Sequence, residues 1–274
     1  MHQKLALVFL VICIAPGPAN SRDKHTPSLQ EDLKRVAAST QGSVVAVMAW
    51  PKNFPDEIGG VIGSAFFISD EGHFLTAAHV LSAFPPERGT LTIVVIQKTM
   101  GGQVGVHFEV VEKDVAHDIA FCRANGFQNL WSRRDPHPPD NPGFYLGTLK
   151  LKAEKPPAGT IVATAGFPLG SWNPTFQVGT ISATETINPN LPGVPAGQRP
   201  LLQIGVTVNM GNSGSPVIEV DSGKVIGIII QEIPAPLVSN VPNLPVAQNS
   251  GVALAAPAEW AIELLRKHNI TLSE

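Results

Sequence analysis

"MGNSGSPVIE" spans residues 210–219 and sets Ser213 among two glycines and an asparagine, with a proline and an apolar run behind it. Gly, Asn and Ser are ordinary turn residues, so a tight turn between two strands accounts for the stretch. A sharper reading makes Ser213 a nucleophile on a loop whose backbone N–H groups face a developing oxyanion. The two readings separate on whether the chain also supplies a base and a carboxylate to orient it.

The start of the chain reads as a processing signal. Lys4 is followed by an unbroken apolar run, Leu5 to Ala15, and then by "PGPANSR" (16–22). That run is short of the about 20 helical residues that cross a bilayer, and small residues follow it. A signal peptide is expected over residues 1–21, cut after Ala19 or Ser21, implying export to the periplasm or the exterior. Ile12 before Cys13 is too large for a lipoprotein signal, so no lipid anchor is expected. The net charge of the 274 residues is −3 and no Lys/Arg run occurs, which removes the electrostatic case for nucleic acid. With the signal gone Cys122 is the remaining cysteine, so stability has to come from the core rather than from an internal disulfide.

Residues 22–42 form an N-terminal helical segment, with Ser28 as N-cap and Glu31 three residues on. From 43 onward the apolar runs are short and β-rich, from "SVVAVMAW" (43–50) through "VHFEVVEK" (106–113) and "KVIGIII" (224–230) to "GVALA" (251–255). Turn residues bound nearly all of them, and no helical pattern alternates with them. An all-β sandwich or barrel is expected and a parallel α/β sheet is disfavoured. The polar, proline-rich stretch at 125–143 divides the runs into two groups and reads as a linker. Residues 185–200 and 231–250 read as long loops, of the kind that are functional or mobile. A terminal helix over 257–268 opens on Pro257, with Trp260, Leu264 and Lys267 on one face and Ile262 and Leu265 flanking. No metal-ligand spacing, phosphate loop or cofactor motif is present.

After the signal, histidines stand at 25, 73, 79, 107, 117, 137 and 268. His79 ends "FLTAAHV", an apolar run that can deliver a ring rigidly to a site. Asp118 opens the apolar run "DIAFCR", which can turn its carboxylate inward. Asp114, in the polar "EKDV", is the competitor and is expected to be solvated.

Together "GSAFFISDEGHFLTAAHV" (63–80), "HDIAF" (117–121) and "GNSGSPVIEVDSGKVIGI" (211–228) resemble the three motif regions of trypsin-like serine endopeptidases, particularly the HtrA/DegP-type protease domain. The resemblance covers about 43–260 and implies two six-stranded antiparallel β-barrels of chymotrypsin-like architecture with a C-terminal helix. The protease domain would run from 43 to 270, with a first barrel at about 43–124 and a second at about 144–255. It implies a His79–Asp118–Ser213 triad, an oxyanion hole from the N–H groups of Gly211 and Ser213, and a polypeptide substrate. The first specificity pocket would have Thr207 at its base and Ile228 and Ile229 on its wall, which points to a small or medium apolar residue before the cut bond. Asn212 stands where the digestive branch carries an activating aspartate, and the cysteines flanking the histidine in that branch are missing. Both departures fit the bacterial, disulfide-free branch, here without a PDZ domain after the helix. An α/β-hydrolase elbow fails at Ser215, where a glycine is required, and "PVIEV" is no helix. The remaining alternative is an inactive protease-fold binding protein.

Overall fold

The computed structural model describes residues 27–52, 59–96, 102–132, 134, 143–186, 200–235 and 248–270. The expected signal peptide and most of the expected loops at 185–200 and 231–250 lie outside them; the described ends of those loops at 185–186, 231–235 and 248–250 are strand instead, because they pair within the second sheet. Helix α1 (Leu29–Thr40) begins at the expected cap: Ser28 Oγ accepts the Glu31 N–H, and the Glu31 carboxylate accepts the Ser28 N–H at 2.7 Å. Its Val36 enters the core.

The first half of the chain forms β1 (Val44–Pro51), β2 (Gly60–Phe67), β3 (His73–Ala77), α2 (Ala78–Ser82), β4 (Gly89–Ile96), β5 (Gln103–Val106), β6 (Phe108–Asp114) and β7 (Ile119–Ala124). The strands make one antiparallel sheet in the order β5-β4-β1-β2-β3-β7-β6. This differs from six strands in a closed ring, and the reason is local. The single run expected at 106–113 breaks at His107, pairing through β5 with β4 and through β6 with β7. The two sheet edges are therefore joined by one chain that bends at a single residue, so the sheet curls into a barrel with an open corner.

The linker region also carries structure. Helix α3 (Phe127–Trp131) seats Phe127 in the core, its ring centroid 4.4 Å from that of Phe67. The second half comprises β8 (Ile161–Gly166), β9 (Thr175–Thr186), β10 (Leu201–Gly205), β11 (Pro216–Glu219), β12 (Val225–Ala235) and β13 (Gln248–Pro257), closed as a barrel in the order β10-β13-β12-β11-β8-β9. Val162, Ile204, Val217, Ile226 and Ile229 help to fill its interior. A second, larger cluster runs from Val45, Phe66 and Phe121 of the first barrel to Ala163, Ile218, Ile228 and Leu254 of the second. The halves thus share one apolar core along their seam. Cys122 is fully buried within it, and burial pushes its thiol pKa up.

Helix α4 (Ala258–Lys267) buries the expected Ile262, Leu264 and Leu265, but its docking face is turned from Trp260 and Lys267 toward Ala258 and Ala261. Ala258, Ala261, Ile262, Leu264 and Leu265 are buried, while Lys267 is exposed and pairs with Glu112. Trp260 is half-buried against the His117 ring, the two ring centroids 4.3 Å apart.

A near-buried ion pair braces the second barrel. Burial alone would push the Glu219 carboxyl up, but the Lys152 ammonium at 2.8 Å and the Ser222 hydroxyl at 2.5 Å outweigh it and hold it below the usual range. A depressed folded pKa contributes stability above the unfolded value, and that stability is lost as pH falls through the folded one. Glu219→Gln is expected to cost about 1–2 kcal/mol at pH 7, or roughly 2–8 °C in Tm. Thermal melts should show that gap closing as pH falls below about 4.

Candidate active site

β3 runs buried from His73 to Ala77 and passes straight into α2, which carries His79 on its first turn. His79 is exposed on one side, and Asp118 holds the other. The Asp118 carboxylate accepts the His79 backbone N–H at 2.8 Å and the His79 Nδ1 proton at 2.6 Å. Because an ionised carboxylate only accepts, Nδ1 carries the proton and Nε2 keeps its lone pair. Asp118 sits one residue before β7 with φ of 56°, a left-handed conformation that Asp tolerates better than most residues. Its own carbonyl accepts the Ala78 N–H at 3.1 Å, so the imidazole and carboxylate are fixed by main chain on both sides.

Asp114 differs from the expectation. It is not freely solvated but accepts both the backbone N–H and the ring Nδ1 of His117 in a tight turn. His117 precedes Asp118 in sequence and packs against Trp260 of the C-terminal helix, but neither joins the hydrogen bonds between Asp118 and His79. His73 is buried with its ring on the Ser69 hydroxyl, and burial lowers its pKa.

Ser213 follows β10 on the loop that precedes β11, and the first barrel holds it there. Its carbonyl accepts the Ser64 N–H from β2 at 2.8 Å. A Cβ on Gly63 would lie 2.6 Å from Val80, the residue after His79, and 3.2 Å from the Ser213 carbonyl oxygen. One on Gly214 would lie 2.0 Å from the Ser64 carbonyl oxygen and 3.1 Å from Ala77 N. Glycine at both positions lets the Ser213 loop and the His79 helix abut. No hydrogen bond joins Ser213 Oγ to the His79 ring among the described residues; in substrate-free serine hydrolases that bond is often long and tightens on binding.

The loop leaves two donors free. Gly211 and Ser213 have N–H groups with no acceptor among the described residues. In a planar trans peptide N–H and C=O point in opposite directions, so each donor is aimed by the partner of the preceding carbonyl. Met210 O accepts the Leu169 N–H at 2.7 Å, and Asn212 O accepts the Ser215 N–H at 2.9 Å. Gly211 has φ of 97°, which suits glycine alone.

The expected pocket residues separate. Thr207 is exposed, whereas Ile228 lies in the shared core and Ile229 in the barrel interior, each 1% exposed or less. Neither isoleucine faces an open cavity. The accessible continuation of that strand is Gln231 and Glu232, both half-buried. No cluster of His, Cys, Asp or Glu able to hold a metal ion occurs among the described residues, nor any helix long and apolar enough to cross a membrane.

The model of the trypsin-like peptidase domain matches residues 63–228, which takes in all three motifs. The chain belongs to that family. It is 30% identical over 212 residues to the putative protease Do-like 14 of Arabidopsis thaliana, covering 75% of this chain and 44% of the relative. It is 31% identical over 168 residues to a probable periplasmic serine endoprotease, DegP-like, of Halomonas elongata, covering 61% of this chain and 28% of the relative. The chain thus spans less than half the length of these curated relatives. Among solved structures, Deg5 aligns with a TM-score of 0.59 at 18% identity, covering 88% of this chain and 95% of that one. The HtrA-type protease AlgW, solved with a decapeptide, aligns at 0.58 and 19% identity, covering 86% of this chain and 66% of its own. At such identities the alignments speak for the fold alone, a chymotrypsin-like pair of β-barrels.

The seam that serves this peptidase domain can be tested without turnover. Gly214 has φ of 88° and no room for a Cβ, whereas Gly126 has φ of 66° and nothing within 4 Å. Gly126→Ala is expected to cost about 1–2 kcal/mol from backbone strain alone. Gly214→Ala should lower Tm by at least twice as much, or prevent folding, when the two are melted side by side.

Proposed function

We propose that the chain is an exported serine endopeptidase that cuts peptide bonds through an acyl-enzyme on Ser213. His79 Nε2 takes the Ser213 proton as the hydroxyl attacks the scissile carbonyl, and later returns it to the leaving amine. Asp118 holds the ring in the required tautomer and stabilises its charged form. The N–H groups of Gly211 and Ser213 receive the oxyanion, and a water releases the acyl group. The observation that carries this reading is the pair of unsatisfied donors beside a carboxylate-oriented imidazole. Orphaned N–H groups at a buried glycine are costly to maintain unless a ligand oxygen meets them. The same pair favours turnover over an inactive binding protein. Export rests on the apolar run at 5–15, with the periplasmic designation of the Halomonas relative in support.

Ser213→Ala is expected to lower peptide hydrolysis by about 10⁴ or more, and His79→Ala comparably. His117→Ala should keep most activity, since its ring is engaged by Asp114 and Trp260. Assays of the three purified variants on one peptide decide this; a swap of the two histidine results would put the base at His117.

For substrate choice we propose a small or medium apolar residue before the cut bond, with neutral Thr207 at the pocket base. Peptides differing only in that residue, Ala or Val against Arg, should favour the apolar ones. Preference for Arg would contradict this and implicate Glu232, a half-buried carboxyl whose pKa burial pushes up.

A further inference from the structure

Ser64 is fully buried in β2 of the first barrel, yet its hydroxyl makes both of its hydrogen bonds to the second half of the molecule. Oγ donates to the Gly211 carbonyl at 2.6 Å and accepts the Phe167 N–H at 3.0 Å. Its backbone N–H meanwhile holds the Ser213 carbonyl. One residue therefore grips the nucleophile loop at two carbonyls and the segment 167–169 at its first amide.

That segment matters for the donors. Leu169, with φ of 54°, turns its N–H onto Met210 O, and so aims the Gly211 N–H away from it. Phe167 O lies so close to Gly211 that a Cβ there would come within 2.2 Å. The Ser64 hydroxyl thus restrains both peptide planes flanking Gly211: the following one directly, through the Gly211 carbonyl, and the preceding one through Phe167 and the turn that reaches Met210. Gly166 is what makes room for it. A Cβ at that position would fall 2.9 Å from Ser64 Oγ, 2.1 Å from Ser215 Oγ and 2.7 Å from Asn212 Oδ1. Ser215 Oγ and the Nδ2 of Asn212 are buried without a hydrogen-bond partner, so among the described residues Ser64 alone links the loop to the turn through a side-chain hydrogen bond.

We infer that Ser64 is a positioning residue for the oxyanion hole, its buried hydroxyl clamping the Gly211 carbonyl and the Phe167 amide so that the Gly211 N–H stays aimed at the substrate oxygen. The inference rests on the proposed acyl transfer at Ser213. Ser64 touches no substrate; it acts through Gly211. A hydroxyl suits the task because it donates and accepts at once in a space too small for an amide.

Ser64→Ala and Ser64→Cys are compared with the unmodified protein by steady-state peptide hydrolysis and by amide hydrogen exchange. Loss of a whole oxyanion donor costs about 10²–10³ in kcat, so a loosened one should cost about 10–100-fold, with KM within about threefold. Ser64→Cys keeps the volume with a weaker hydrogen-bonding group and should fall between; it stands in if Ser64→Ala does not fold. The Phe167 amide should exchange at least about tenfold faster in Ser64→Ala, because its acceptor is gone. A kcat within twofold of the unmodified protein, a loss confined to KM, or unchanged Phe167 exchange would overturn the inference. The exchange measurement needs no turnover. If Ser213→Ala retained full hydrolysis, the acyl-transfer reading would fail, while the Phe167 amide would still report whether the clamp exists.

Discussion

The backbone hydrogen bond from Ser64 N–H to the Ser213 carbonyl joins a strand of the first barrel to the loop of the second that carries the proposed nucleophile. Everything at the site depends on that approach. Around that bond Gly63, Gly166, Gly211 and Gly214 leave no room for a Cβ, so the segments pack closer than side chains at those positions would allow. The shared apolar core along the seam supplies the driving force, since burying aliphatic and aromatic surface from both halves opposes their separation. The hydrogen bonds then select one register among the many that burial alone would allow. Burial brings the halves together, and directional polar contacts decide where Ser213 stops.

Order of a second kind comes from the carbonyls. The structure aims its free donors indirectly, by satisfying the oxygen of each preceding peptide. Leu169 and Ser215 do so through their own N–H groups. Such an arrangement is preorganised, so little reorientation is required when charge develops on a substrate oxygen. The left-handed conformations of Asp118 and Leu169 are the local cost of aiming these groups, one beside His79 and the other beside Met210.

Much of this was legible in the sequence, because the signals involved are local. The Ser28 cap, the strands from 43 to 124, the order of the His79, Asp118 and Ser213 motifs, and the helix after Pro257 all depend on residues within a few positions of one another. What was missed is non-local. The bend at His107 is set by which strands lie on either side, and nothing in "VHFEVVEK" declares a change of partner. The buried face of α4 is set by the seam it covers, so Ala258 and Ala261 outrank the longer Trp260 and Lys267. Phe127 reads as part of a linker because its partner, Phe67, lies 60 positions away. The pocket wall slipped along β12 because the register of that strand against β11 decides which isoleucines are enclosed. Ser64 was in plain view in "GSAFFIS", where a serine before an apolar run reads as filler until the loop it holds is seen in space.

The account's central claim is that His79, oriented by Asp118, activates Ser213 across the seam, and covalent labelling tests it most directly. The purified protein would be treated with a fluorophosphonate probe and the modified peptide mapped by mass spectrometry. A single adduct on Ser213, lost in His79→Ala, is the predicted result. An adduct on another residue, or none on a folded protein under any condition, would contradict the account.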